Sequence, residues 1–189
     1  MVLEFITVDH WDEGIWEVWC PIYEQAFGMK KGKQKEIIRN MFYKHQCYFH
    51  IGKEQSVVTA IALTGKLSNL PVLIIDYLAV SEGGRKKGFG QAFFQYIKDW
   101  AIEKGKFAGI VIEVEAEKTF ENEERILFWI KCGFIKTEYI HHYKVVPEPY
   151  RAMYMKLKPD AIIPDLGEEW FQHIGHFHRQ SFKGMKNRL

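Results

Sequence analysis

The sequence predicts a mixed α/β domain, with a central sheet of about six to seven strands and helices on both faces. Three observations point there. Val72–Val80 is apolar on both faces, as a central strand is, with Asp76 as its one charge. Around it, helix-periodic and strand-like runs follow in the order β-α-α-β-β-β-α-β-α-β-β. Cys47–Gly52 and Ser56–Thr64, separated by Lys53-Glu54-Gln55, read as an antiparallel hairpin, whereas strand–helix–strand in the middle implies a parallel crossover.

The elements follow from local pattern. Leu3–Val8 is the first strand. Trp11–Phe27 is helical, with Ile15, Trp16, Val18, Trp19, Ile22, Tyr23 and Ala26 at helical spacing. Gly28 serves as its C-cap, and Pro21 threatens a kink. The basic segment Met29–Lys35 is a loop, and Lys35–Tyr43 a short helix. Gly88–Lys104 is a helix whose apolar side carries Phe89, Ala92, Phe93, Tyr96, Ile97 and Trp100, and Gly105 ends it. Gly109–Glu115 is the next strand. Asn122–Cys132 is a helix stopped by Gly133, and Phe134–Tyr143 and Ala152–Leu157 are two further strands, with Pro147 and Pro149 between them. The pattern changes after Pro159. Residues 1–158 are therefore read as one domain and 159–189 as an appendage or tail, with a helix from about Glu168 to Arg179.

Composition narrows the function. With 47% hydrophobic and 26% charged residues in a chain of 189, wholesale disorder is excluded. The 26 Lys and Arg against 24 Asp and Glu leave a charge of +2, which implies no whole-chain attraction to nucleic acid. No apolar run approaches the roughly 20 residues of a membrane span. The N-terminal segment, with Glu4, Asp9, Asp12 and Glu13, lacks a targeting pattern. Cys20, Cys47 and Cys132 fit neither a disulfide framework nor a paired metal site, so a reducing, cytoplasmic setting is expected.

The most informative segment runs from Asp76 to Ala92. A strand ends, a glycine-rich turn follows, and an amphipathic helix begins at once. Gly88 and Gly90 allow close approach of the backbone to a ligand. The first N–H groups of a helix lack internal acceptors and sit at the positive end of its dipole. Arg85, Lys86 and Lys87 add positive charge, and together these features make a phosphate cradle. No GxxxxGK[ST] run is present, and Phe93 stands where a third dinucleotide-loop glycine would be. The plainer alternative is a solvated basic turn.

Arg85-x-x-Gly88-x-Gly90 after a strand ending in Val80 resembles the acetyl-CoA diphosphate loop of the GCN5-related N-acetyltransferase (GNAT) superfamily, Arg/Gln-x-x-Gly-x-Gly/Ala. Downstream, Asn122 through Phe134 is similar to that family's Asn-x-x-Ala-x-x-Phe-Tyr-x-x-x-Gly-Phe segment. The element order matches from Leu3 to about Leu157. The resemblance implies a mostly antiparallel sheet whose fourth and fifth strands splay at their C-terminal ends, with the pantetheine arm of acetyl-CoA lying between them. It places the arm and acetyl carbonyl on the backbone of Leu78, Ala79 and Val80. The diphosphate would lie on Arg85, Lys86, Lys87, Gly88, Phe89, Gly90 and Gln91, with Asn122, Arg125 and Phe128 along the pantetheine or adenosine.

The implied reaction is acetyl transfer to the primary amine of a small molecule or peptide, by direct attack in a ternary complex. An amine of pKa near 10.4 must first lose a proton. Asp76 and Glu113, acids inside apolar strands, are the candidate bases. The alternative for Asp76 is a helix cap or pairing with a buried cation. Trp129 stands where many family members carry a Tyr acid, and Arg125 where Ala is usual. Tyr139 is the candidate replacement acid, with Tyr143 and Tyr77 as alternatives, unless the thiolate leaves unassisted. Trp129 also keeps open a non-catalytic acyl-CoA-binding module, and the basic segments an anion-binding domain. His173, His176 and His178 are read as surface histidines, with no metal expected. Trp11, Trp16, Trp19, Phe42 and Tyr43 are read as core before pocket. The amine is not encoded legibly, and the oligomeric state stays open, a homodimer included.

Overall fold

The computed structural model describes residues 3–85 and 88–184, with backbone alone at residues 29 and 30. Strands β1 (Leu3–Val8), β2 (Cys47–Glu54), β3 (Val57–Lys66), β4 (Val72–Val80), β5 (Gly109–Glu115), β6 (Ile135–Lys136), β7 (His141–His142) and β8 (Pro149–Lys156) form a largely antiparallel sheet in the order β1-β2-β3-β4-β5-β8-β6, with β7 also on β8. Helices are α1 (Glu13–Lys31), α2 (Lys35–Tyr43), α3 (Phe89–Glu103), α4 (Phe120–Lys131) and α5 (Gly167–Phe182). The expected mixed α/β class is the observed one. The chain forms two compact units, one within residues 1–65, 76–97 and 178–189, the other within 66–75 and 98–177.

In the first unit, β1 and β3 flank β2 antiparallel, with a bulge at Gly52/Lys53. The hairpin turns on Gln55 and Ser56, both at positive φ (50° and 65°), the geometry that primed two-residue turns require. Asp12 caps α1 by accepting from the Ile15 N–H at 2.8 Å. Helix α1 runs through Pro21 without losing helical geometry. The break comes at Gly28 (φ 62°), after which one more turn reaches Lys31, where a loop was expected. Trp19, Phe42 and Phe49 are fully buried, and Trp16 nearly so, so the aromatics of α1 and α2 are core, with Tyr43 exposed. The first half of α3 sets Phe89 and Phe93 against Phe5 of β1. A Cβ on Gly52 would lie 2.9 Å from the Phe89 ring, so only glycine fits that approach.

In the second unit, β4 pairs in parallel with β5 from Val72↔Gly109 to Ile75↔Ile112. β5 pairs antiparallel with β8 along its whole length, from Gly109↔Lys156 to Glu115↔Tyr150. Phe134–Tyr143 is not one strand. Thr137 turns both its N–H (3.2 Å) and its hydroxyl (2.8 Å) onto the Ala152 carbonyl, which ends the β6 ladder, and pairing resumes only at β7. β8 starts at Pro149, three residues earlier than the sequence suggests, because its first residue gives only a carbonyl, to the Ala116 N–H (2.8 Å). Helix α5 buries Trp170, Phe171 and Ile174, with the Trp170 ring 5.5 Å from that of Tyr154. Among the described residues no helix is long and apolar enough to cross a membrane.

Candidate active site

The ladder between β4 and β5 is registered only as far as Ile75 and Ile112, yet β4 runs on to Val80. The Ser81 N–H ties that end to the Thr59 carbonyl at 2.8 Å. A 3-10 turn over Glu82–Gly84 follows, and a Cβ on Gly84 would sit 2.4 Å from the Thr59 methyl, so this turn lies flat on β3. Arg85 folds back, its Nε donating to the Val80 carbonyl at 3.0 Å. Lys86 and Lys87 lie outside the described residues. Gly88 adopts φ +77°, a left-handed conformation that favours glycine, and its carbonyl accepts from the Ala92 N–H in the first turn of α3. A Cβ at Gly88 would meet no atom of the described residues within 4 Å, so among these residues the turn is open beside the α3 N-terminus. Phe89 is buried as the helix anchor, Gly90 is half-buried and Gln91 is exposed. On β4 Ala79 is buried, and Leu78 and Val80 are half-buried.

Asp76 is paired. The Lys33 ammonium donates to its two carboxylate oxygens at 2.8 and 2.6 Å, and to His178 Nδ1 at 3.3 Å. Tyr77 receives the Lys33 backbone N–H (3.0 Å), and the Tyr23 hydroxyl donates to the Lys33 carbonyl (3.0 Å). Burial, with the Asp76 charge adding to it, pushes the Tyr77 hydroxyl far above its ordinary value, so it stays a neutral donor and acceptor.

Glu113 of β5 is half-buried, and the Tyr143 hydroxyl donates to its Oε2 at 2.6 Å. Tyr143 meets the His141 ring edge-on at 4.5 Å, and His141 stacks on Phe171 of α5 at 4.3 Å. Burial lowers the pKa of His141 despite the opposing pull of Glu113. Burial, then Glu115 and Glu113, push the Tyr150 hydroxyl up to about 12. Tyr139, 38% exposed, has its hydroxyl 3.5 Å from His141 Nδ1. Asn122 is buried at the start of α4, its amide donating to the Glu117 carbonyl (3.1 Å) and accepting from Arg125 (3.1 Å). Arg125 is exposed and Phe128 half-buried, the latter edge-on to Trp129, which is itself buried against Phe134.

The sequence model of the acetyltransferase (GNAT) family matches residues 13–134. The chain belongs to the GNAT family. The fold agrees across solved structures. The ribosomal-protein-S18-alanine N-acetyltransferase of Escherichia coli superposes with a TM-score of 0.62 at 15% identity, over 87% of this chain and 97% of its own. The spermidine N-acetyltransferase of Vibrio cholerae, solved with CoA and spermine, gives 0.63 at 11% identity, over 82% and 95%. A GNAT-family protein of Desulfovibrio desulfuricans gives 0.66 at 11% identity, over 83% and 100%. A comparison with curated proteins by sequence returns no match.

Several residues of this GNAT chain escape a sequence reading. Lys33 belongs to a run of basic residues, and nothing local marks it as the one whose partner lies 43 residues away. Phe171 lies beyond the family match and carries no motif. Strand alternation puts Glu113 and Glu115 on one face of β5. The pairings Glu115↔Tyr150 and His141↔Tyr150 then carry that face across β8 to β7, a juxtaposition only the register reveals. Among the described residues no group of three His, Cys, Asp or Glu could hold a metal ion.

Proposed function

We propose that this GNAT protein transfers an acetyl group from acetyl-CoA to a primary amine by direct attack, with donor and acceptor bound together. The observation that carries it is the β4–α3 turn, where left-handed Gly88 opens onto space at a helix N-terminus. The residues there suit an anionic diphosphate, because the first amides of α3 lack helical acceptors and the nearby side chain Arg85 is cationic. In this reading Arg85 through Gln91 hold the diphosphate, and Leu78, Ala79 and Val80 hold the pantetheine arm through their backbone. Asn122, Arg125 and Phe128 are assigned to the outer part of the cofactor. Acetyl-CoA, when bound, supplies an activated acyl carbon.

The chain supplies the rest. A backbone N–H on β4 stabilises charge developing on the acyl oxygen. Of Asp76 and Glu113 we favour Glu113 as the base. Asp76 already accepts from a buried ammonium, and protonating it would strand Lys33 without its counter-charge. Glu113 accepts from a neutral hydroxyl. Tyr139 is assigned to protonation of the departing thiolate, a step of small demand because a free thiol has a pKa near 8.5. The solved neighbours carry names for acetylation of a polyamine and of a protein alanine, which supports a small-molecule or peptide amine. We take residues 1–158 as the transferase domain and 159–189 as a C-terminal appendage, in a cytoplasmic setting that suits three cysteines outside any disulfide.

The test is thermal stabilisation by acetyl-CoA, followed by CoA release on a panel of spermidine, lysine, ethanolamine and an N-terminal alanyl peptide. Release with at least one amine supports the reading. A second reading, non-catalytic acyl-CoA binding, draws on Trp129, whose buried indole replaces a hydroxyl; stabilisation with no release across the panel favours it.

A further inference from the structure

The residues 13–134 that match the family end before Tyr143, Tyr150 and Phe171, yet Tyr143 reaches the carboxylate of Glu113 with the rings of Tyr150 and Phe171 packed on its own. Along the shared sheet face, β5 presents Glu113 and Glu115, β8 presents Tyr150, and β7 presents His141. Tyr143, just past β7, reaches back to Glu113 Oε2 at 2.6 Å. Its ring is held edge-on by His141 (4.5 Å, 79°) and by Tyr150 (5.6 Å, 67°). Phe171, 4% exposed, closes the cluster by stacking flat on His141 (4.3 Å, 11°) and making a T-shaped contact with Tyr143 (6.1 Å, 74°).

The start of α5 is seated closely. A Cβ on Gly167 would lie 2.6 Å from the Thr137 hydroxyl oxygen, and Trp170, fully buried, meets the Tyr154 ring. The Tyr154 hydroxyl in turn donates to Asp165 at 2.9 Å, fixing the segment that leads into the helix. Phe171 thus sits on a fixed support, and the order of contact runs from α5 to His141, to Tyr143, to Glu113.

We propose that Tyr143 is a positioning residue for the Glu113 carboxylate and that Phe171 is its anchor, so that the C-terminal helix completes the acid–base site. This rests on the reading of Glu113 as the base. The Tyr143 hydroxyl favours the ionised carboxylate and fixes which way Oε2 points. Phe171 acts only through the rings. Among the described residues the charged and titratable groups around the cluster include Glu115, Glu148, Arg125, Tyr139, His141, His142 and Tyr150, and none of them changes in the variants below.

The experiment uses the full chain with ¹³C in its glutamate carboxyls, the Glu113 signal being assigned with Glu113→Gln. In Tyr143→Phe the titration midpoint of Glu113 should rise by about one unit, and the acid limb of kcat/KM should rise with it on the amine of the panel above with the highest turnover. Phe171→Leu, which keeps the core filled, should move both in the same direction by less, and Phe171→Ala by more. Unchanged midpoints in Tyr143→Phe overturn the proposal, as do shifted midpoints with an unshifted kinetic limb. If the wild-type chain turns over no amine of the panel, the transferase reading fails, and the NMR midpoints still decide whether Tyr143 and Phe171 govern Glu113.

Discussion

The Lys33 ammonium straddles the Asp76 carboxylate, 2.8 Å from Oδ1 and 2.6 Å from Oδ2, with the two side chains only 5% and 3% exposed. A pair sealed this far from water holds the Lys33 segment to β4, and its worth appears when one half is removed. Asp76→Asn should cost about 3–5 kcal/mol, because it takes the carboxylate charge away from a buried ammonium. The double variant Lys33→Met, Asp76→Leu should recover much of that loss. Urea denaturation of the two single variants and the double measures this, and additive losses would show that the two groups do not act as a pair.

The two candidate bases separate by the kind of damage their loss does. Glu113→Gln should lower kcat by about 10²–10⁴ while leaving the melting temperature near wild type, since it keeps size and a hydrogen-bonding group. Asp76→Asn should lower the melting temperature first. Steady-state kinetics beside a thermal melt distinguishes them; full activity in Glu113→Gln removes it from the chemistry.

Two glycines of the β4–α3 turn should fail differently. Gly84→Ala drives a methyl into Thr59, 2.4 Å away, and should destabilise the fold. Gly88→Val meets open space but forces a β-branched residue to φ +77°, displacing the amides of the turn. CoA affinity should drop by about tenfold or more in Gly88→Val, from a strain of roughly 1–2 kcal/mol, with a smaller change in melting temperature than in Gly84→Ala. Calorimetric titration and thermal melts of both variants check the contrast.

Acid should unfold the protein partly through His50. This residue is fully buried between Thr7 and Thr64, each 2.8 Å from a ring nitrogen, and burial pushes its pKa from 6.5 down to about 3. The unfolded chain binds a proton near pH 6.5 that the folded chain refuses until about pH 3. Stability is therefore untouched by this group above pH 6.5. Below that it falls by about 1.4 kcal/mol per pH unit, levelling near pH 3. Urea midpoints at pH 7, 6, 5 and 4 should show a steeper acid loss for wild type than for His50→Gln; equal slopes would contradict the assignment.

Much of the fold was legible because single elements carried their own signal. Val72–Val80 and Lys35–Tyr43 appear with the bounds their apolar patterns indicate. The class followed from their order. Where the outcome depended on distant partners, the reading stopped short. Pro21 suggested a kink, but the tolerant position was Gly28, whose missing Cβ allows φ 62°. Gln55 and Ser56 form a left-handed turn that no glycine announces. Thr137 ends a strand only because the Ala152 carbonyl lies opposite. For the site, the glycine turn was legible since backbone conformation is written in glycine. The Lys33–Asp76 and Tyr143–Glu113 pairs were not, because each joins segments 43 and 30 residues apart that only the folded register brings together.

The most direct measurement is isothermal titration of coenzyme A into the full chain and into Gly88→Val. The central claim, that the amides of the β4–α3 turn grip a nucleotide diphosphate, predicts one CoA bound per chain and a marked loss of affinity in the variant. Absence of binding to the wild-type chain, or equal affinity in both, would contradict it.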